Sequence, residues 1–286
     1  MAEALGVLVG YDGSEGGDRA LEWAAQEASA RGLSLTICHV WQVVYPGFTA
    51  VMPMEAMEET AAQLVGDAAA KIRTSHPGLD VLTRTYSGSP AYTLIDLSQY
   101  AELTVVGSLG LGAVRRALIG SVGAQVAAHA DGVVTVVRGD DHPEGPVVAG
   151  LDGSRVSAGV LLAALEEAKA RGVGVTALCV YPGSASVRDT PFVTEEGLRE
   201  IARARFDRAV AEGGAAHPDV PVEARFVDGD PTTVLIESSE GARALVVGAR
   251  SGGTLRKRLL GSSSEGAIHH ALCPVSVVHP PHEHAE

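Results

Sequence analysis

The stretch Val105-Val-Gly-Ser-Leu-Gly-Leu-Gly-Ala-Val-Arg-Arg-Ala-Leu-Ile-Gly-Ser121 decides the fold. Its apolar start is too short for a helix and reads as a buried strand, and the chain then breaks into a glycine-bearing loop. Gly120-Ser121 precedes an Ala- and Val-bearing segment that reads as a helix. Gly107, Gly110 and Gly120 are expected to use positive φ or to let a ligand approach the backbone closely. A helix beginning at Ser121 would aim unpaired N–H groups and its positive dipole end into the same space, which suits a phosphate. Tight turns alone would also account for these glycines. Two better-known phosphate loops are excluded: no Gly-Lys-Ser/Thr is present, and Arg115 stands where the dinucleotide fingerprint after Gly110 and Gly112 needs a third glycine.

A partial copy of this stretch runs from Val246 to Ser262, and it belongs to a repeat of a whole domain. Gly10-Tyr-Asp12-Gly-Ser14 recurs as Gly150-Leu-Asp152-Gly-Ser154, and Val40 recurs as Val180. Gly107 and Gly120 recur as Gly248 and Gly261 with one residue inserted. In each copy a short strand (7–9 or 147–149) leads to a helix that Ser14 or Ser154 is expected to cap. Leu21, Ala24, Ala25 and Ala28 recur as Leu161, Ala164, Leu165 and Ala168 at the spacing of one helical face. Gly32 and Gly172 should end those helices, with second strands at 35–40 and 175–180. Residues 41–54 and 181–193 lose periodicity and read as long loops able to act as lids. Helices near 55–75 and 194–213, strands near 80–86 and 222–227, and short helices opened by Pro90 and Pro231 follow. The closing strands are 133–137 and 275–278.

Strands alternating with helices give an α/β protein of two tandem, doubly wound domains, each a five-stranded parallel sheet. The boundaries read as 1–138 for the first domain, 139–146 for a charged Gly/Pro linker, 147–279 for the second domain and 280–286 for a frayed tail. If the sheet reverses order where strands one and four meet, their C-terminal ends flank the ligand crevice of such sheets, so Asp12 and Gly107 would face one ligand.

Composition narrows the function. With 22 basic against 35 acidic residues the formal charge is −13, which disfavours nucleic acid and anionic membrane as partners. Cys38, Cys179 and Cys273 lie in or beside apolar runs and are odd in number, so a disulfide framework is not expected and a reducing, cytoplasmic setting is. No apolar run is long enough to span a membrane. His279, His282 and His284 read as a solvated tail, and the neighbours His269 and His270 point to different sides of a helix, so no metal site is assigned.

Gly107, Gly110, Gly120 and Ser121, the upstream Gly-x-Asp-Gly-Ser and the closing Cys-Pro-Val-Ser-Val-Val at 273–278 together resemble the universal stress protein family in its tandem form, over nearly the whole chain. The resemblance implies strand order 3-2-1-4-5 and bound ATP, with a Mg²⁺ accompanying the nucleotide as the only metal admitted. It implies that Gly10 and Asp12 lie against the nucleoside and Val40 against adenine. Gly107, Ser108, Gly110 and Gly112 would run along the phosphates, with Gly120 and Ser121 closing on them from the other side. Gly150, Asp152, Val180, Gly248, Gly261 and Ser262 would do the same in the second copy, where Ser251 and Ala249 replace Gly110 and Ser108 and weaken the site. Arg115 and Arg116, with Arg256, Lys257 and Arg258, fall in the loops over the phosphates, although solvated charge is the better reading of any single one of them. The family's dimer seam is the closing strand, so an intramolecular pseudo-dimer is expected, with a homodimer and an unknown protein partner left open.

Three functional classes follow from this reading: an ATP-binding regulatory or stress-response protein, a slow ATPase or phosphotransfer enzyme, and a dimerisation module with degenerate pockets. The Gly107–Gly110 segment holds no carboxylate, histidine, cysteine or lysine to activate water or accept phosphate, which favours the first.

Overall fold

The computed structural model describes residues 4–42, 54–110, 119–154, 156–183, 194–249 and 260–280. The chain divides into two compact units, Met1–Val137 and Arg138–Glu286. In the first, β1 (Val7–Gly10), α1 (Glu15–Arg31), β2 (Leu35–Trp41), α2 (Met54–Ser75), β3 (Val81–Ser87), α3 (Pro90–Ser98), β4 (Leu103–Gly107), α4 (Ser121–His129) and β5 (Val133–Val137) follow in order. The strands pair in parallel as β3-β2-β1-β4-β5.

The second unit repeats the plan with β6 (Val147–Gly150), α5 (Ser157–Arg171), β7 (Val175–Tyr181), α6 (Glu195–Ala216), β8 (Val222–Asp228), α7 (Pro231–Ser238), β9 (Ala244–Gly248), α8 (Ser262–His270) and β10 (Val275–Val278). Its parallel order β8-β7-β6-β9-β10 is the same 3-2-1-4-5 arrangement. Most of 41–54 and 181–193, Gly112, Ser251 and the basic residues of the two glycine loops lie outside the described residues.

Apolar burial drives both units. Leu21, Ala24, Ala25 and Ala28 of α1 are sealed against Val7, Val9, Leu35 and Val105 of the sheet. Their counterparts Leu161, Ala164, Leu165 and Ala168 are equally buried in α5. Small alanines on this face let helix and sheet approach closely, while the branched strand residues fill the layer between them. Gly32 and Gly172 end α1 and α5 at φ 66° and 67°, a left-handed conformation that lets their N–H groups satisfy the last carbonyls.

The two helices start differently. Ser14 caps α1, its hydroxyl accepting from Gly17 N–H at 3.0 Å. Ser154 does not cap α5: that helix begins at Ser157 with Val156 as its cap residue and no side-chain cap bond. The cause is a substitution, because Gly16-Gly17 of the first unit is Val156-Ser157 in the second. The Ser157 hydroxyl now donates to Asp152 Oδ1 at 2.9 Å, taking the part that the capping serine plays opposite Asp12.

Residues 138–146, expected as a linker, lie against the second unit. Arg138 Nη1 donates to the carbonyls of Ala267 and Ile268, at 3.3 and 2.6 Å, in the last turn of α8. Asp140 N–H bonds the Leu272 carbonyl, and Asp141 Oδ1 accepts from the buried Arg243 at 2.7 Å. His279, read as the start of a solvated tail, is buried at 4% exposure.

The tightest helix–sheet approach in the first unit is between Gly16 of α1 and the end of β4. A Cβ at Gly107 would stand 2.7 Å from the Gly16 carbonyl oxygen and 2.9 Å from its carbon, and one at Gly16 would strike the Leu109 carbonyl. Backbone lies on both sides, so neither can yield cheaply. Gly107→Ala is therefore expected to lower stability by about 1–3 kcal/mol through overpacking, read as a lower midpoint in urea. An unchanged midpoint would show that the two backbones separate freely.

Candidate functional site

In the first unit β1 and β4 are neighbours whose connections leave in opposite directions, the topological switch point of the sheet. A cavity of about 590 Å³ lies there, and Gly10, Asp12, Val40, Gly107, Gly110, Gly120 and Ser121 all line it. Ser108 does not line it. Its N–H donates to the Val137 carbonyl at 3.0 Å and its carbonyl accepts from Gly120 N–H at 2.7 Å, so it fastens the β4 end to the α4 start from behind. The sequence reading missed Tyr11, His39, Leu94 and Ile119 on the wall, because side chains reaching the crevice from strand ends and α3 carry no glycine signal.

The glycines fall into two groups. None of Gly107, Gly110 and Gly120 has positive φ, contrary to expectation. Gly107 is required by packing against the Gly16 backbone, whereas a Cβ at Gly10 would press on the end of the Leu94 side chain at 2.7 Å and one at Gly110 on Asp12 Oδ2 at 2.6 Å, atoms that can turn aside. Gly120 is different. Its φ of −64° and ψ of 155° suit any residue, and the nearest atoms to an added Cβ are 3.6 and 3.8 Å away. It also gives α4 no side-chain cap. The first α4 bond inside the turn runs from Ala124 N–H to the Gly120 carbonyl at 3.0 Å, and among the described residues no carbonyl pairs with the N–H groups of Ser121, Val122 and Gly123, residues that line the cavity.

Asp12 is held rather than loose. Its Oδ1 accepts from Ser14 N–H at 3.0 Å and from Ser14 Oγ at 2.6 Å. Beside it Tyr11 donates its hydroxyl to Asp18 Oδ1 at 2.9 Å. Burial, that hydrogen bond and the charges of Asp18 and Asp12 push the Tyr11 phenol up to about 12, so it remains a donor.

The opposite wall is main chain. Tyr11 N–H donates to the Cys38 carbonyl at 2.8 Å, the last β1–β2 rung, and Val40 comes next on that side of β2. Among the described residues Val40 makes no backbone bond to Tyr11, so its N–H and carbonyl edge turns toward the cavity that Val40 lines.

The second unit has a matching cavity of about 600 Å³, lined by Gly150, Asp152, Val180, Gly248, Gly261 and Ser262. Its inner surface is rebuilt. A Cβ at Gly248 would meet Val156 Cγ1 at 3.1 Å, where the first unit has the Gly16 backbone. Ser264 replaces Gly123 and donates to the Gly248 carbonyl at 2.7 Å. Glu265 adds a negative charge in the first turn of α8, whereas α4 has none there. Burial would raise the Asp152 pKa, but hydrogen bonds from Ser154 and Ser157 outweigh it and hold the carboxyl below its ordinary value, ionised at neutral pH.

The arrangement is an α/β domain with a doubly wound parallel sheet and a glycine-bordered cavity at its switch point, present here twice. The model of the universal stress protein family matches residues 6–138 and 145–279. The chain belongs to that family, as a tandem member. A universal stress protein of Mycolicibacterium smegmatis is 36% identical over 98% of each chain, and one of Mycobacterium tuberculosis is 33% identical over 95% of this chain and 96% of its own. Among solved structures, a universal stress protein from Archaeoglobus fulgidus shares the fold at a TM-score of 0.73 and 21% identity, covering 97% of this chain and 99% of its own.

Among the described residues no group of three or more metal-ligating side chains occurs, and no helix is long and apolar enough to cross a membrane. The cysteines are free and buried. Burial drives the Cys38 and Cys273 thiols up to about 12, and the Cys179 thiol up to about 11, from an ordinary value of 9.0. These raised values stabilise the fold fully below the unfolded thiol pKa. That contribution is lost as pH rises from about 9 toward 12, where the unfolded chain releases protons that the folded chain keeps. Stability measured by urea titration should fall over this window, and replacing Cys38 by Ala should flatten the fall. A wild-type slope equal to that of the variant would contradict burial as the cause.

Proposed function

We propose that this protein binds ATP in its first unit and serves as a nucleotide-dependent regulatory or stress-response protein. The observation that carries the reading is Gly120, a glycine that neither backbone conformation nor packing requires, on the cavity wall at the start of α4, where among the described residues three helical N–H groups have no partner. That arrangement suits the negative oxygens of a phosphate chain. The Val40 main-chain edge suits a base that offers one donor beside one acceptor, as the amino edge of adenine does. Held in place by Ser14, Asp12 suits ribose hydroxyls, or a Mg²⁺ that arrives with the nucleotide. The second cavity, with its extra carboxylate and its rebuilt inner surface, is the weaker site.

Binding rather than turnover is favoured because the loop segment nearest the phosphates supplies no lysine and no base. Occupancy is then the signal, read by partners that distinguish the filled from the empty protein.

Gly120→Val in the full chain is expected to abolish high-affinity ATP binding by isothermal titration while leaving the melting temperature and circular dichroism of the wild type. Gly261→Val should leave that tight site intact. If Gly120→Val binds ATP like the wild type and its fold is unchanged, the phosphates do not lie at the start of α4.

A further inference from the structure

His39 is one of the cavity-lining side chains that the sequence motif does not explain. It follows Cys38 in β2 and stands beside the Val40 main-chain edge, half-buried, on the wall of the first cavity. Its Nδ1 lies 2.8 Å from the Tyr11 carbonyl oxygen. A carbonyl only accepts, so Nδ1 carries the hydrogen, and in the neutral ring Nε2 is then a bare acceptor. The bond also fixes the ring, because Tyr11 is itself anchored through its N–H to Cys38 and through its hydroxyl to Asp18. An imidazole acceptor held in this way is pre-organised for a donor on whatever fills the cavity. The second unit has Cys179 at the matching position, and burial keeps that thiol protonated, so the second cavity has no equivalent acceptor.

We propose that His39 is a specificity residue of the first cavity, its Nε2 accepting a hydrogen bond from the exocyclic amino group of a 6-aminopurine. This rests on the nucleotide reading given above. The 6-amino group carries two hydrogens. The Val40 carbonyl takes the one on the side of the ring nitrogen that pairs with Val40 N–H, and His39 takes the other. The first cavity therefore selects an amino group at this position by two acceptors, and the second by one.

The test is a double-mutant cycle between protein and ligand in the full chain. ATP and purine riboside triphosphate, which lacks the 6-amino group, are titrated into the wild type, into His39→Phe, which keeps a ring without its nitrogens, and into His39→Cys, which installs the residue of the second unit. The expected result is a loss of about tenfold in ATP affinity in both variants, with no change for purine riboside triphosphate. If the two nucleotides weaken by the same factor, His39 only supports the wall. If neither weakens, Nε2 does not meet the ligand; either result overturns the assignment. Should the wild type bind neither nucleotide, the nucleotide reading fails and takes this assignment with it. Retained ATP binding in a variant that still discriminates like the wild type would assign recognition to Val40 alone.

Discussion

The structure depends on one close approach, that of the α1 backbone at Gly16 to the end of β4 at Gly107 and Leu109. Only the absence of side chains at both glycines allows it. The approach brings Leu109 and Gly110 down beside α1 and Asp12. Ser108 then carries the constraint on, its carbonyl fixing Gly120 and with it the start of α4. Packing energy of the ordinary kind therefore positions the helix start that borders the cavity.

The second unit shows what happens when this approach is relaxed. Val156 occupies the place of Gly16, the helix begins at Ser157, and a serine bond network forms around Asp152. The fold survives unchanged in strand order, because the sheet is held by its own apolar layer and by α5. The charge pattern changes by one residue: Glu265 stands in the first turn of α8, where α4 has no acidic residue. One fold thus carries two cavities of similar size and different lining.

Much of this was legible in the residues. The alternation of short apolar runs with the Leu21/Ala24/Ala25/Ala28 face fixed strand, helix and layer order, since burial period and length leave few alternatives. Glycines 107, 110 and 120 all border the cavity. Positive φ is not their reason, and Gly107 answers instead to the Gly16 backbone, a contact between distant segments that no local pattern reveals. Ser154 looked like Ser14 and did not cap, because the decisive change was two residues later at Val156. His39 and Tyr11 carried no motif, since their roles arise only when β1 and β2 are paired in register.

Hydrogen exchange of the full chain with and without ATP reads the central claim at the atoms concerned. The account expects the amides of Ser121, Val122 and Gly123 to gain protection on adding nucleotide, together with Val40, and the amides of Ser262–Ser264 to gain less. ATP binding that leaves the 121–123 amides exchanging as before, or protects 262–264 more strongly, would contradict it.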